Sequence, residues 1–485
     1  MKVKLILFAL FYLNLLNGQK HDYIWTLGTG NTFVDSIHGG TDIDFNYSPP
    51  QVKYVNRPTK FLYLTSSMSD FDGSLLYYSN GCSVINRNQQ TLINGNALNP
   101  GNLFDKWCTG NNGYYVLLQS IINLPFINNN DKFGMFHLGG IEIKGLLNAR
   151  INACYYSEID IAAENGRGVL LRKNIPIITD TLGGFIKAVK HSDGQSWWII
   201  AVGRNTNIYY RIKFFDGQIE GPYEQLVEDT CKNPNNTGQA VFSPDGSMYA
   251  HFDPWTGLII YDFDRGTGLL KKREKIDFWY NPNSDFYYGG LSFSPNGRFL
   301  YLSTEKIMYQ FDLTQTPIKN SRTILDSIDG SMSPYLITFL YHELAPDGKI
   351  YISSGNSVNL WGVINQPDEK GFACDFKQHN FRLATLNFWS IPNFPNYRLG
   401  PLVLTESIES NAYLITPNPA SLHFAYDNLD KPGVLRIYNQ HGQQVLFQKL
   451  SPYYHIVYVN KLPIGMYFTS LEVSGKIYWD KLLKI

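Results

Sequence analysis

Short runs in which apolar and polar residues alternate make up most of the chain, and long stretches with helical spacing are rare. Such alternation is typical of half-buried β-strands. In three places an apolar strand end is followed by Pro, then Asp or Asn, then Gly, and then by a second alternating run; the copies span residues 242–251, 293–302 and 344–353. Proline fixes φ for a turn and glycine supplies the positive φ that closes it. Each copy therefore predicts a strand, a tight turn and a second strand.

The pattern is an internal repeat. The turn glycines of the three copies fall at 246, 297 and 348, which is an interval of 51 residues in both cases. A fourth copy, with Gly194, lies 52 residues before Gly246, and weaker copies lie near residue 73 and within residues 114–171. Antiparallel repeats of about this length are typical of propeller blades.

An all-β fold follows, and we predict a β-propeller with seven blades, or six as the alternative. The seventh blade is expected to combine segments near residues 23–45 and 381–405. Joining the two chain ends in one sheet would remove the exposed sheet edges that otherwise promote aggregation.

The repeat stops near residue 412, and a different arrangement follows. Alternating stretches at residues 434–438, 443–447, 455–459 and 465–471 predict a small antiparallel β-sandwich of about seven short strands, of immunoglobulin-like type. The predicted domains are therefore a signal peptide (1–18), a propeller (19–411) and a sandwich (412–485).

Composition narrows the classes of partner. Lys and Arg together number 41, as do Asp and Glu, so no net charge favours a nucleic-acid partner. At the N-terminus two lysines precede an apolar run at residues 5–16, the arrangement of a secretory signal peptide with cleavage near Gly18. No later stretch is long and apolar enough to predict a membrane-spanning helix.

Five cysteines are too few and too scattered for a disulfide scaffold, and none forms a CxxC pair. Export allows one or two disulfides with at least one thiol left over. Their pairing cannot be assigned from the sequence.

The last 70 or so residues contain four ordered motifs: Pro-Asn-Pro, a strand leading to a Gly turn, Leu-Pro-x-Gly-x-Tyr, and a Lys-containing terminal strand. Their characteristic residues are Pro417, Asn418, Pro419, Gly442, Pro463, Gly465, Tyr467 and Lys481. In this order they resemble the type A C-terminal sorting domain of the type IX secretion system of the phylum Bacteroidota. One departure is Thr416, where an aromatic residue is common.

The resemblance implies export through the periplasm, recognition of the folded tail by the type IX machinery, and a product that is secreted or held on the outer cell surface. Residues 59–404 in turn resemble the WD40-like or lactonase-like propellers that accompany such tails, notably at residues 238–246, 364–374 and 391–400. That second resemblance implies an architecture and carries no agreed activity.

Motifs for catalysis are weak. His342 and Glu343 begin like a zinc-protease helix, but Pro346 stands where the second His is required. The chain contains neither a G-x-S-x-G nucleophile elbow nor a phosphate-binding loop. His137, His191 and His342 each fall near a predicted inner strand and would form an acid, base or metal site only if they converged.

Two further sets of residues have a structural and a functional interpretation. Carboxylates at alternate positions, Asp70 with Asp72 and Asp262 with Asp264, suit either strand-end turns or a Ca²⁺ loop. Tryptophans could stack on sugar rings or pack between blades; they are Trp107, Trp197, Trp198, Trp255 and Trp361. We predict no cofactor, with calcium as the alternative.

Two functions remain open on the sequence. One is a non-catalytic surface or secreted protein that binds a glycan or protein ligand. The alternative is a propeller hydrolase or lyase with its site in the central channel. The absence of catalytic motifs favours the binding protein.

Overall fold

A computed structural model describes residues 19–30, 37–110, 112–143, 149–233, 236–278, 288–402, 413–427, 429–439, 444–452, 454–474 and 476–485. The chain divides into two compact units, residues 1–402 and 403–485. The predicted domain boundary at 411 and 412 and the predicted signal peptide both lie outside the described residues. Within them, no helix is long and apolar enough to cross a membrane.

The first unit consists of antiparallel meanders, in which each strand pairs with the next along the chain. The described residues form seven of them. The first three are β1 (Ile24–Gly30), β2 (Gly39–Asp44) and β3 (Gln51–Val55); β4 (Ser66–Ser69), β5 (Leu75–Ser79), β6 (Ser83–Asn86) and β7 (Thr91–Asn96); and β8 (Ile121–Pro125), β9 (Lys132–Glu142), β10 (Ala149–Asp160) and β11 (Val169–Ile178).

The remaining meanders have four strands each. They are β12 (Leu182–Lys190), β13 (Trp197–Gly203), β14 (Thr206–Phe215) and β15 (Gln218–Cys231); β16 (Gln239–Phe242), β17 (Met248–Asp253), β18 (Gly257–Phe263) and β19 (Leu270–Ile276); β20 (Gly289–Phe293), β21 (Phe299–Thr304), β22 (Ile307–Asp312) and β23 (Thr323–Ser327); and β24 (His342–Leu344), β25 (Ile350–Ile352), β26 (Val358–Ile364) and β27 (Phe376–Asn387). In the described part of this unit, short helices occur only in connections: α1 (Asn102–Trp107), α2 (Ala163–Gly166) and two 3₁₀ turns, Ile318–Ser321 and Gly371–Cys374.

The meanders are the blades of a β-propeller. Their first strands, from β1 through β24, contact one another in succession, and β27 contacts all three strands of the first blade, so that the series closes. Apolar side chains fill the space between successive blades: Phe252 and Leu258 of the fifth pack in one cluster with Leu300 and Phe311 of the sixth. The predicted all-β propeller with seven blades is confirmed.

Closure differs in detail from the prediction. The first blade takes all three of its strands from residues 24–55, and residues 381–387 belong to the outer strand of the seventh blade. Hydrogen bonds join the two blades instead: Leu386 N donates to Ile37 O, and Thr41 and Thr385 bond through their hydroxyls at 2.8 Å. Residues 388–402 are not a strand, because the prolines at 392 and 395 cannot donate to a ladder.

The repeated turns form as predicted. Gly246, Gly297 and Gly348 have φ of +72°, +72° and +78°, and each donates its N–H to the carbonyl three residues earlier. In every copy the Asp or Asn side chain accepts the N–H two residues on; the pairs are Asp245 with Ser247, Asn296 with Arg298, and Asp347 with Lys349. The local chemistry of the Pro-Asx-Gly sequence therefore sets the end of each inner strand.

The second unit is a sandwich of two antiparallel sheets, as predicted. One contains β28 (Leu414–Thr416), β29 (His423–Asp427) and β32 (Ile456–Tyr458); the other contains β31 (Gln444–Leu450), β30 (Gly433–Tyr438), β33 (Gly465–Val473) and β34 (Lys476–Lys484). Phe424, Leu435, Val457 and Leu471 belong to its buried apolar core.

A disulfide links Cys82 to Cys108, which ties the second blade to the segment after α1. Cys154, Cys231 and Cys374 are buried free thiols. The structure thus supplies the pairing that the sequence left open.

Candidate functional site

The central channel of the propeller is filled by the chain itself. After β27, residues 388–402, here called the axial segment, bond to inner strands on several sides. Asn393 Nδ2 donates to Ile121 O of β8 at 3.3 Å and to Ile186 O of β12 at 3.0 Å. A side chain that reaches two inner strands in this way lies inside the ring.

Other bonds hold the axial segment along its length. Trp389 Nε1 donates to Gly355 O at 2.6 Å, in the seventh blade, and the Tyr397 hydroxyl donates to Asn123 O at 2.9 Å, in the third. Residues 389–395 are all buried. Along residues 389–395 the channel is therefore packed protein, and a cavity lies where the axial segment leaves it.

An acidic residue faces that exit from the seventh blade. Aligning the blades on their turn glycines places Glu343 at the position that Val189, Val241 and Ser292 occupy in the three preceding blades. All four line one cavity. Glu343 is thus a carboxylic acid at a channel-facing position where two of the equivalent residues are valines.

Glu343 is paired with a lysine from the opposite wall. Lys187 Nζ on β12 lies 4.0 Å from Glu343 Oε2 and donates to Asn393 Oδ1 at 2.9 Å. The side chains of Lys187 and Glu343 are 6% and 8% exposed. The N–H of Phe394, in the axial segment, also bonds to Glu343. The axial segment therefore holds both members of the pair.

Burial controls the protonation of this pair. It raises the pKa of Glu343 to about 7, against the attraction of Lys187, and the nearby Asp22 adds to the rise. The pKa of Lys187 is lowered, because burial disfavours its charge more than Glu343 stabilises it. The two pKa values are therefore shifted towards each other, as they are in pairs that act as general acid and base.

A second ion pair closes one side of the site. Arg398, in the axial segment, makes two hydrogen bonds of 2.7 Å to the carboxylate of Asp22, which precedes β1. Such a bidentate pair fixes geometry as well as charge. Asp22 and Arg398 both line the cavity, so they fix the path of the axial segment at the channel mouth.

The cavity has a volume of about 260 Å³ and is open to solvent at the ends of the inner strands. Its walls are largely apolar, and the ionisable groups among them are Asp22, Lys187, His342, Glu343 and Arg398. The Pro-Asx-Gly turns of three blades contribute to its lining through Pro244, Pro295, Pro346 and Gly348. A cavity of this size suits one sugar ring or one amino-acid side chain.

The three histidines identified from the sequence do not share one site. His137 is on the second strand of the third blade, between Asn99 and Ser157. His191 follows β12 and bonds to Gly266 O at 3.1 Å. Burial lowers the pKa of His137 to about 3, so that its ring is neutral. His137 and His191 therefore bond to groups that stabilise the fold and do not form a shared site.

His342 alone reaches the cavity. Its Nε2 lies 2.9 Å from Ser303 Oγ, and burial lowers its pKa to about 3. The backbone N–H of the same residue donates to Gln239 Oε1, which also accepts the N–H of Leu291. This glutamine therefore joins the inner strands of the fifth, sixth and seventh blades.

The carboxylates considered for calcium act in turns. Asp70 Oδ1 accepts the N–H groups of Asp72 and Ser74, and Asp264 Oδ1 accepts that of Gly266. Asp262 forms an ion pair with Arg273. These contacts favour the turn interpretation over a Ca²⁺ loop.

For three of the tryptophans the structure favours packing over stacking on a sugar ring. Trp197, Trp198 and Trp361 are buried. Trp107 and Trp255 are partly exposed. Stacking on a sugar ring is therefore limited to the latter two positions.

The described sorting-motif residues lie in and around the last two strands of the sandwich, β33 and β34. Asn418, between Pro417 and Pro419, donates to Lys481 O and accepts the N–H of Leu483. Gly465 pairs with Lys484 at the start of β33. On the same strand the Tyr467 hydroxyl donates to Pro463 O at 2.8 Å. Gly442 lies outside the described residues.

Sequence reasoning missed Lys187, Asn393 and the axial segment, and it examined Glu343 only as part of a zinc-protease motif. For Glu343 a signal existed, since aligning the repeats places it against Val241 and Ser292. For Asn393 the local sequence gives none, because its partners are 206 to 274 residues away.

No known protein family matches this chain, and no curated protein is significantly similar to it. Among solved structures it is similar to a periplasmic gluconolactonase of Pseudomonas aeruginosa, at 12% identity over 75% of this chain and 97% of that one, with a TM-score of 0.42. A putative 6-phosphogluconolactonase of Bacteroides uniformis matches at 13% identity over 95% and 100%, with a TM-score of 0.39. The propeller domain of Cps50 (Swd1) from Myceliophteria thermophila matches at 10% identity over 74% and 95%, with a TM-score of 0.30. Scores this low carry no functional argument, so the class, a β-propeller, rests on the strand topology.

Proposed function

We propose that this protein is a binding propeller that holds a glycan or protein ligand at the channel mouth without converting it. The observation that carries the proposal is the axial segment. It fills the channel in which a propeller enzyme usually builds its site, and it leaves a cavity of about 260 Å³ rimmed by turns. A cavity of that volume admits a single sugar ring or side chain at the end of a longer ligand.

The cavity has the chemistry of a selective binding pocket. Apolar walls from Val189, Val241 and Phe293 can cover one face of a ring, while Glu343 provides a hydrogen-bond donor or acceptor according to its protonation. The rigid, hydrogen-bonded surroundings of Glu343 favour recognition, because the pocket is already formed without a ligand.

A second candidate function is a hydrolase or lyase. It is favoured by one observation, the buried Lys187–Glu343 pair, whose members have pKa values shifted towards each other. One would act as acid and the other as base. The channel mouth is the reaction site in this alternative.

Blocking the cavity is the test of the binding proposal. Ligands are first identified by screening the full-length wild-type chain on a glycan array and a peptide array. Ser292→Tyr then puts an aromatic ring into the cavity from the sixth blade. We expect this variant to lose all retention of those ligands. Ser327→Tyr, at an exposed position on the outer strand of the same blade, should leave retention unchanged. Both variants are first checked for a native circular-dichroism spectrum.

The outcomes separate the two candidates. Ligands that bind and are recovered chemically unchanged support the binding protein. If the wild type cleaves the ligands and Glu343→Gln does not, the binding proposal is wrong and the hydrolase or lyase alternative is supported. Equal retention by wild type and Ser292→Tyr would remove the cavity as the site.

We further propose that the protein is exported through the periplasm and sorted by the type IX machinery to the cell surface or the medium. Support comes from the order of the tail motifs and from their proximity, since Asn418 bonds to the backbone of the strand that carries Lys481. Secretion machinery that recognises the folded tail can therefore contact these residues at one surface.

Export predicts two processed ends. In the native host we expect the mature chain to begin near Gln19 and to lack the residues after about 412. Intact mass and terminal peptides from supernatant and surface fractions measure both. Asn418→Ala should lower the surface and secreted fractions, whereas Asn207→Ala, in the propeller, should not. A full-length chain held inside the cell would contradict sorting.

A further inference from the structure

Three metal-ligating side chains meet between the fourth and fifth blades, away from the channel mouth. Cys231 ends β15, the outer strand of the fourth blade, and His251 and Asp253 lie two residues apart on β17, so they share one face of that strand. One ligand atom from each lies within 4.8 Å of the others. All three residues are fully buried.

Two polar atoms of this cluster are unsatisfied. His251 Nδ1 and Asp253 Oδ2 have no hydrogen-bond partner among the described residues. Leaving a buried polar atom without a partner is unfavourable, so two in one cluster need a physical reason. Ordinary packing of a Cys, a His and an Asp supplies none.

The other atoms of the cluster are held in place. Tyr209 Oη lies 2.6 Å from His251 Nε2 and 3.1 Å from Tyr261 Oη. When Nε2–H donates to Tyr209, and Tyr209 donates to Tyr261, His251 Nδ1 keeps its lone pair. This second bond is the orienting contact that metal-bound histidines make in proteins.

Asp253 is positioned in the same way. Its Oδ1 accepts the N–H groups of Trp255 and Thr256, both at 2.9 Å, which leaves Oδ2 available. The Thr256 hydroxyl lies close to both Cys231 and Asp253 and can donate its one proton to either of them. The turn after β17 therefore fixes two of the three ligands.

We propose that Cys231, His251 and Asp253 bind a Zn²⁺ ion that joins the fourth and fifth blades. Thiolate, imidazole and carboxylate are the ligand types that zinc takes in proteins. Binding releases the thiol proton to solvent, and the thiolate and carboxylate then neutralise the charge of the ion, so the buried complex is neutral.

The geometry needs only a small closure. Tetrahedral zinc with bonds of about 2.0–2.3 Å sets its ligand atoms roughly 3.3–3.8 Å apart. The ligand atoms, within 4.8 Å, must therefore approach by at most about 1.5 Å. The fourth position falls to a water molecule or to the Thr256 hydroxyl. Because the cluster has no exposed atom, the ion is structural.

Cobalt provides a direct test on the full-length chain. The protein is unfolded with chelator, refolded with one equivalent of Co²⁺, and freed of excess metal. We expect one Co²⁺ per chain and a thiolate-to-metal absorption band in the near ultraviolet, with Zn²⁺ displacing the cobalt and abolishing the band. Refolding with Zn²⁺ should raise the thermal midpoint above that of the chelated protein.

Two cysteine variants separate this site from the other thiols. Cys231→Ser should lose the band and bind zinc at least tenfold more weakly, whereas Cys154→Ser, which removes another fully buried thiol, should keep both. If Cys231→Ser does not fold, the wild-type protein still decides the question. Folded wild type that gives neither the band nor one bound metal per chain would overturn the proposal, as would a band that persists in Cys231→Ser.

Discussion

Asn393→Ala is expected to lower the free energy of unfolding of the propeller by about 4 kcal/mol, measured by denaturant unfolding of the full-length chain. The two N–H groups of the amide are shared among the carbonyls of Gln119, Ile121 and Ile186, and its oxygen accepts a hydrogen bond from Lys187. Each bond contributes about 0.5–1.5 kcal/mol, and its loss leaves buried groups unsatisfied. The alanine therefore removes the contacts that fix the axial segment at the centre of the ring.

The control for this prediction is in the same segment. Asn396 Nδ2 donates to one carbonyl, that of Pro244, at 2.8 Å, and the residue is only partly buried. Asn396→Ala should cost about 1 kcal/mol. If Asn393→Ala lowers the free energy of unfolding by an equally small amount, Asn393 does not hold the axial segment in place. The filled channel would then lack the contact that supports it most.

The repeated strands and turns could be predicted because their causes are local. In residues 242–246 the proline, the aspartate and Gly246 each act on their own backbone, and the apolar alternation on either side decides which face is buried. The sandwich was predictable for the same reason: short alternating runs between turn residues give its seven strands. Local rules are enough to define antiparallel meanders.

What could not be predicted depends on contacts between distant residues. The sequence of residues 388–402 predicts the continuation of a strand. Only the assembled ring shows that these residues enter the channel and bond to several blades. Trp197 and Trp361 could not be assigned to the interior from spacing alone, since either face of an alternating strand can be the covered one. The pair formed by Lys187 and Glu343 requires two strands 156 residues apart to face each other across the channel.

Replacing Glu343 by glutamine is expected to change how the stability of the propeller depends on pH. The pKa of Glu343 is about 7 in the folded chain against 4.5 for the unconstrained group. Between these values the folded state binds the proton and the unfolded state does not, so the contribution of Glu343 to stability is full below pH 4.5 and is lost as the pH rises to 7. Over that interval the loss amounts to at most about 3 kcal/mol.

Glu343→Gln has no such proton, so its stability relative to wild type should improve by about 3 kcal/mol between pH 4.5 and pH 8. Lys187 acts in the same direction. Without Glu343 the pKa of Lys187 falls further, and a lysine with a lowered pKa makes the fold more stable as the pH rises.

Urea unfolding of both proteins at matched ionic strength measures the difference. Glu220→Gln, which makes the same substitution at an exposed position on β15, serves as the control. A Glu343→Gln difference that varies with pH no more than that of the control would show that this carboxyl does not hold its proton at neutral pH, and it would remove the acid and base roles on which the hydrolase or lyase alternative depends.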